Sequence, residues 1–264
     1  MIIVADNISA GRPSVRRIIA QRDGQALDAL CRRLAGSGAD WLDLNPGFLP
    51  KNQRAEVWRW LVTTAEAACV LPLVLDTPRP DELALALGFC TRPPVLNMAT
   101  AEDGRLAPVL DLAAAHDLSL VAAAMTATTP ADAEERLALT ALIVAEAARR
   151  GIDGPRLWID PMVLPLALPG GEAQAAAVLA TLRAIPFLFE PAPRTLLAVS
   201  NLTTATAAAR AGFVGPAFLA AAFGAGLGAA MIDVTDPALM KTVALCRVMA
   251  GERIFAPAEF GGEG

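Results

Sequence analysis

The sequence predicts a single-domain (β/α)8 (TIM) barrel that occupies residues 1–264. The first observation is length: 264 residues, 55% of them hydrophobic, suit the core of one barrel of roughly 250 residues. The second is that short apolar runs alternate with longer amphipathic runs eight times along the chain. The third is that the short runs are almost continuously apolar, which is typical of strands buried on both faces of a parallel sheet.

The elements follow in order along the chain. The apolar runs predict strands at Ile2–Ala5, Trp41–Leu44, Leu73–Leu75, Val95–Met98, Leu118–Met125, Leu157–Ile159, Leu196–Val199 and Ala229–Ile232. The amphipathic stretches predict helices at Val15–Ala35, Gln53–Cys69, Asp81–Gly88, Leu106–His116, Ala131–Arg150, Glu172–Ile185, near Gly215–Phe223, and at Ala238–Met249. No linker rich in glycine, serine or proline divides the sequence, so one domain is expected.

A doubly wound open sheet is the competing architecture, because it also alternates strands with helices. Its glycine fingerprint for dinucleotides is missing after the first apolar run, where the sequence is Asp6–Gly11. Gly224–Gly228 is rich in glycine but precedes an apolar run, so a tight turn is expected there. These features favour the closed barrel.

Composition excludes several classes of function. The chain has 22 basic and 27 acidic residues, a formal net charge of −5, and its basic pairs form no stripe, so no nucleic-acid partner is expected. Ala211–Ile232 carries no charge but is rich in alanine and glycine, which favours a buried helix and strand over a membrane span. Met1–Asp6 lacks the pattern of a signal peptide, so a cytoplasmic protein is expected.

Cysteine and histidine are too sparse for metal or triad chemistry. The four cysteines lie far apart, which predicts buried thiols in a reducing compartment and no disulfide framework. The single histidine, His116, cannot by itself form a histidine metal site or a Ser-His-Asp triad. We therefore expect no bound metal, and chemistry that depends on carboxylates, amides and a bound organic molecule.

Carboxylates and carboxamides follow almost every apolar run. In a barrel these positions converge at the carboxyl ends of the strands, where active sites of this fold lie. Each side chain alone could instead begin a turn or cap a helix, which explains the whole set poorly. The residues that end or directly follow the apolar runs are Asp6, Asn7, Asp43, Asn45, Asp76, Asn97, Met125, Thr126, Asp160, Ser200, Asn201 and Asp233, of which all but Met125, Thr126 and Ser200 are carboxylates or carboxamides.

The expected ligand is a planar polar heterocycle. Little positive charge follows the predicted strands, so a phosphate is a poor match for this rim. A carboxylate accepts two parallel hydrogen bonds from a flat pair of donors, and a carboxamide both donates and accepts. The 2-amino group and N3–H of a pterin present such a pair, and pterin is one member of this set of ligands.

At these positions the sequence resembles the pterin-binding methyltransferases that act on methyltetrahydrofolate and a corrinoid protein. The resemblance runs from Met1 to about Phe260, as one pterin-binding barrel domain. The residues that carry it are Leu42–Asn45, Leu75–Thr77, Leu96-Asn97, Trp158–Pro161 with Leu164-Pro165, Pro191–Thr195 and Val199–Asn201.

The resemblance implies particular roles. Asp76, Asn97 and Asp160 would hold the pterin ring, and Asn201 would donate a hydrogen bond to N5 as the catalytic residue. The same motifs contribute Asp43, Asn45 and Ser200 as further substrate-binding residues. The methyl group would move between N5 of methyltetrahydrofolate, or a related reduced pterin such as a methanopterin, and cobalamin carried by a partner corrinoid protein. The family further implies a homodimer.

Two alternatives stay open. Dihydropteroate synthase shares the barrel and pterin slot, but its late basic motifs are missing here, since Lys51 and Lys241 are the only lysines. A non-catalytic pterin-binding subunit is favoured by departures from the family pattern at Asp6–Ser9, Thr126–Thr129 and Thr203–Ala209. Decay of cob(I)alamin absorbance with methyltetrahydrofolate distinguishes an enzyme from such a subunit.

Overall fold

The computed structural model describes residues 1–102, 104–204 and 208–254, and for residues 208–211 it describes the backbone alone. Eight parallel strands form a closed barrel in which β1 to β8 follow chain order and β8 pairs with β1. The predicted (β/α)8 barrel is confirmed. The strands are β1 Ile2–Ser9, β2 Trp41–Asn45, β3 Leu73–Asp76, β4 Val95–Thr100, β5 Ser119–Ala123, β6 Leu157–Asp160, β7 Arg194–Ala198 and β8 Ala229–Ile232.

Ten α-helices surround the barrel in the described part of the chain. Short 3-10 turns lie at Lys51–Gln53 and Gly154–Arg156. The α-helices are α1 Pro13–Gln21, α2 Gly24–Gly36, α3 Arg54–Ala68, α4 Pro80–Leu87, α5 Leu106–Ala115, α6 Ala133–Ala148, α7 Gly171–Leu188, α8 Val199–Thr203, α9 Ala208–Gly224 and α10 Pro237–Met249.

The first predicted helix, Val15–Ala35, is wrong as a single element. The structure divides it into α1 and α2 because Arg22 ends α1 in the left-handed region, with φ +52°. Asp23 then caps α2 by accepting a hydrogen bond from the Ala26 N–H at 3.0 Å. An aspartate before glycine is a recognisable start signal for a helix, and it lies inside the continuous amphipathic pattern.

Strand β1 is longer than the predicted Ile2–Ala5. Its pairing with β2 shifts between Ala5 and Ile8, after which Ile8 and Ser9 pair with Leu44 and Asn45. The pairing of β4 with β5 shifts in the same way after Asn97. Such irregularities re-aim side chains, and both lie toward the carboxyl ends of their strands.

The interior of the barrel has its own apolar core. It is separate from the larger core between the sheet and the helices. Trp41 packs against this interior cluster and meets Trp158 edge to face, with ring centroids 5.8 Å apart. The buried members are Val4, Val74, Val95, Val121, Trp158, Leu196, Ala229 and Met231.

The uncharged stretch Ala211–Ile232 forms most of α9 and all of β8, as predicted. Gly226 adopts φ +97° in the tight turn between them, a conformation that glycine adopts without strain. Among the described residues, no helix combines the length and apolarity that crossing a bilayer requires.

Candidate functional site at the mouth of the barrel

Strand periodicity places the predicted polar residues inside the barrel. Successive side chains on a strand point to opposite faces, so residues two apart share a face. Asp76 follows the interior residue Val74 by two positions, and Asn97 follows Val95 in the same way. Asp160 likewise follows Trp158. These side chains form a polar layer above the interior apolar core, at the carboxyl ends of the strands.

Asp76 lies in a small hydrogen-bonded group with residues of β2. Asn45 donates from Nδ2 to Asp76 Oδ2 at 2.7 Å, while its Oδ1 accepts from the Gly47 N–H at 3.0 Å. These two bonds fix the orientation of the carboxamide. Asp76 and Asn97 are partners in the register of β3 and β4, so their side chains lie side by side. Burial raises the pKa of Asp76 to about 6, although the bond from Asn45 opposes this shift.

Asp43 is a buried acid that pairs with no cation among the described residues. Its side chain is 2% exposed, and Oδ1 has no hydrogen-bond partner among the described residues. Burial, then the nearby Asp76 and Asp6 carboxylates, raise the pKa of Asp43 well above its ordinary value. Burial therefore favours the protonated form of Asp43, in which a carboxyl group offers both a donor and an acceptor.

Asp160 at the end of β6 is 4% exposed. Its Oδ1 accepts a hydrogen bond from the Met162 N–H at 2.8 Å. Burial raises the pKa of Asp160 to about 7, against the opposing effects of this N–H and of the Arg136 charge. On β5 the register partner of Asp160 is Ala123, whose small side chain leaves room beside the carboxyl group. Binding of a ligand with two N–H donors would lower the pKa of Asp160 and so favour its ionised form.

Ser200 and Asn201 lie on α8, which begins directly after β7. Asn201 is partly buried, and the Ser200 side chain lies close enough to the Asp6 carboxyl group to lower its pKa. The Leu166 N–H donates to the Leu202 carbonyl at 2.9 Å, so the loop that follows Asp160 is attached to α8. The structure thus joins the Asp160 side of the mouth to the Asn201 side through a backbone contact. Of the departure at Thr203–Ala209, residues 205–207 lie outside the described residues.

The side of the mouth formed by β1 and β8 contains a cation, Arg12, that the sequence did not predict there. Arg12 donates to Asp233 at 2.8 Å and to Asp6 at 3.0 Å. Asn7 also donates to Asp233, at 2.6 Å. The expectation of little positive charge at this rim is therefore wrong for the β1 and β8 side. Arg12 precedes Pro13 in the loop before α1, and nothing in its sequence spacing places it between two distant aspartates.

Arg12 changes the ionisation of its two partners in different ways. Burial opposes the ionisation of Asp233, but bonds from Thr235, Asn7 and Arg12 together lower its pKa to about 2. For Asp6, burial raises the pKa more than Arg12 and Ser200 lower it. Asp6 and Asp233 are thus occupied by internal contacts, whereas Asp43, Asp76 and Asp160 make no ion pair in the described structure.

Asp160→Asn is expected to stabilise the free protein at alkaline pH. A carboxyl group with a pKa of about 7 when folded and about 4 when unfolded binds its proton more tightly in the folded state. Its contribution to stability is therefore full below pH 4 and is lost as the pH rises to 7. Asparagine does not titrate, so the variant should gain roughly 2 to 4 kcal/mol in the free energy of unfolding at pH 8.

Urea unfolding of both proteins at pH 5 and pH 8 measures this gain. Asp153→Asn is the matched control, because Asp153 is exposed near the other end of β6 and pairs there with Arg156. The expected gain appears at pH 8 in Asp160→Asn alone. If Asp160→Asn is no more stable than the wild type at pH 8, burial does not raise the pKa of Asp160.

The fold and the site define a class: parallel (β/α)8 barrels with carboxylates and carboxamides at the carboxyl ends of the strands. The chain is similar to the Methylcorrinoid:tetrahydrofolate methyltransferase of Eubacterium limosum, with 27% identity over 169 residues. This match covers 63% of the chain and 62% of the length of that relative. No protein-family model matches the chain.

Solved structures have the same fold. The dihydropteroate synthase of Xanthomonas albilineans in complex with 7,8-dihydropteroate aligns with a TM-score of 0.65 at 21% identity, over 97% of this chain and 94% of that one. The dihydropteroate synthase of Burkholderia cenocepacia aligns with a TM-score of 0.66 at 17% identity, over 96% and 93%. The resemblance indicated by the motifs is confirmed: the curated relative carries the name of that methyltransferase family, and the solved relatives have the expected barrel.

Proposed function

We propose that the protein is a methyltransferase that moves a methyl group between N5 of methyltetrahydrofolate, or a related reduced pterin, and the cobalt of a corrinoid protein. The observation that carries the proposal is the polar layer of Asp76, Asn97 and Asp160 on the interior face of three strands, in which Asn97 and Asp160 are buried and Asp76 is partly buried. The name of the E. limosum relative supports the same reaction.

The polar layer suits the edge of a pterin ring. Ionised Asp160 would accept from N3–H and the 2-amino group, as a carboxylate accepts from two parallel donors. Asp76, oriented by Asn45, would accept a further N–H, and the Asn97 carboxamide would bond to either kind of group. Asp43 and Ser200 complete the proposed binding set. Because burial raises the pKa of free Asp160 to about 7, part of the protein holds a proton there at neutral pH, and binding of the ring would release it.

Asn201 is the proposed catalytic residue. In the direction that forms methyltetrahydrofolate, the N5 lone pair bonds to the methyl carbon, the cobalt–carbon bond breaks with its electron pair left on cobalt, and N5 loses its proton. In the reverse direction N5 is a poor leaving group and must gain a hydrogen bond or a proton as its bond to carbon breaks. A neutral carboxamide can donate that hydrogen bond without titrating, which stabilises the transition state electrostatically.

The surface around the mouth supports a partner protein there. Phe48, in the loop after β2, is 86% exposed, and Phe213, in the first turns of α9, is 80% exposed. Leu168, in the loop after Asp160, is 47% exposed. Large exposed apolar side chains at this end of the barrel favour association. We propose that the corrinoid protein docks on this end, and that the chain forms a homodimer as its family resemblance implies.

The test is methyl transfer by the purified protein. Methyltetrahydrofolate and a reduced corrinoid protein are added, and the absorbance of cob(I)alamin is followed. Decay that depends on the protein is the expected result. Binding of methyltetrahydrofolate without decay would support a non-catalytic pterin-binding subunit instead.

A dihydropteroate synthase-type reaction is the second candidate, because the solved structures that the chain resembles are dihydropteroate synthases. That reaction expels pyrophosphate, which requires cations at the mouth. Arg12, the cation beside Asp6 and Asp233 at the mouth, is already bound to both of these aspartates. Formation of dihydropteroate from its two precursors would favour this alternative over methyl transfer.

A further inference from the structure

Arg136 is a guanidinium buried without exposed surface in the first turns of α6. Its Nε donates to the Pro161 carbonyl at 2.8 Å, and Nη2 donates to the Met162 carbonyl at 3.4 Å. The remaining donors reach the Asp132 carbonyl, at 2.9 Å, and the side-chain oxygen of Gln174. All four acceptors are uncharged, so these bonds orient the guanidinium without neutralising it.

Two of those acceptors belong to the turn that follows Asp160. The Met162 N–H is the group that donates to Asp160, at 2.8 Å. Met162 has φ +54°, in the left-handed region that residues other than glycine rarely adopt. A strained turn of this kind persists when its surroundings hold it, and Arg136 holds both of its carbonyl groups.

Among the described residues, Arg136 is the cation whose charge favours the ionised form of Asp160. On β5 the neighbouring position is Ala123, and on α7 the polar group nearest the guanidinium is the neutral amide of Gln174. Asp132 and Glu135, on the same side as Arg136, attract its charge from the edge of α6. A flexible lysine could not reach several carbonyl groups at once, whereas the planar fork of arginine does.

We propose that Arg136 is a positioning residue for the bound ligand: it holds the Pro161–Met162 turn that orients Asp160, and its charge favours the carboxylate that the ring requires. The inference rests on the proposed function, because it assumes a ligand that donates N–H groups to Asp160. It adds a residue outside the family motifs, 24 positions before Asp160 in the sequence.

The test is the pH dependence of methyltetrahydrofolate binding, measured by calorimetry from pH 6 to pH 9. Affinity for the wild type should rise with pH to a plateau, with a midpoint near 7, because Asp160 must be ionised to accept both donors. Arg136→Gln removes the charge and should move the midpoint up by about one pH unit. At pH 9 only the lost bonds to the turn should weaken binding, and between pH 6 and pH 7 the lost charge should weaken it a further five- to tenfold, roughly.

Gln174→Glu tests the same effect of charge if Arg136→Gln does not fold. This substitution leaves Arg136 in place but sets a carboxylate against it, so the midpoint should move in the same direction. Arg136→Lys retains the charge and should keep the wild-type midpoint while losing affinity equally at every pH. Glu172→Gln, at an exposed position on the same helix as Gln174, is the matched control and should leave binding unchanged.

The outcomes separate the two proposals. Loss of affinity that is equal at all pH values in both Arg136→Gln and Gln174→Glu, with the midpoint unmoved, would overturn the role of Arg136 alone. A wild-type protein that binds no methyltetrahydrofolate at any pH would overturn the proposed function, and the role of Arg136 with it.

Discussion

Asp160→Asn is expected to weaken the binding of methyltetrahydrofolate ten- to about a hundredfold at pH 8. The substitution keeps the volume of the side chain and its acceptor for the Met162 N–H, but removes the charge that would accept two ligand donors. Hydrogen bonds to a charged group contribute about 1.5 to 3 kcal/mol, and each tenfold in affinity corresponds to about 1.4 kcal/mol. Asp160→Ala should lose at least as much.

Calorimetry measures this loss, with Asp153→Asn as the control from the other end of β6. The same Asp160→Asn protein is expected to be more stable than the wild type at pH 8, so weak binding cannot be attributed to unfolding. A loss of binding together with a gain of stability is typical of a residue that binds a ligand and destabilises the protein when the ligand is absent. Equal affinity in both proteins would remove Asp160 from the site.

Asn201→Ala is expected to slow methyl transfer by about 10² to 10³ while changing the affinity for methyltetrahydrofolate less than threefold. The hydrogen bond to N5 matters most as that nitrogen gains electron density, so its loss affects the transition state more than the bound substrate. The measurement is the single-turnover decay of cob(I)alamin, with binding followed separately.

Thr204→Ala is the control for Asn201, because Thr204 is exposed at the end of α8 and its hydroxyl bonds only to the Ser200 carbonyl among the described contacts. It should retain transfer close to the wild-type rate. If Asn201→Ala transfers methyl groups as fast as the wild type, another donor serves N5. If it loses affinity and rate together, Asn201 binds the substrate in its ground state.

The parts of the site that depend on local periodicity could be predicted from the sequence. Val74–Asp76, Val95–Asn97 and Trp158–Asp160 each place a polar residue two positions beyond an interior apolar one, at the end of a strand. A closed barrel brings such positions to one mouth whatever their separation along the chain. The eight strands followed from the same continuous apolar runs.

The parts that depend on long side chains from other elements could not be predicted. Arg12 contacts Asp233, which lies 221 positions away in the sequence. Arg136, on α6, contacts Pro161 in the loop after β6. No periodicity marks either contact, because the conformation of a flexible side chain is set by partners that only the fold brings near. The raised pKa values of Asp76 and Asp160 could not be predicted from the sequence either, because they depend on burial of these side chains by the whole barrel.

The most direct measurement is the crystal structure of the protein grown with methyltetrahydrofolate. The expected result is a bicyclic ring inside the carboxyl mouth, with its amino group and N3–H on Asp160, Asp76 and Asn97 alongside, and N5 facing Asn201. A ring bound on the outer surface of the helices, or a mouth left without the ring at saturating ligand, would contradict the account.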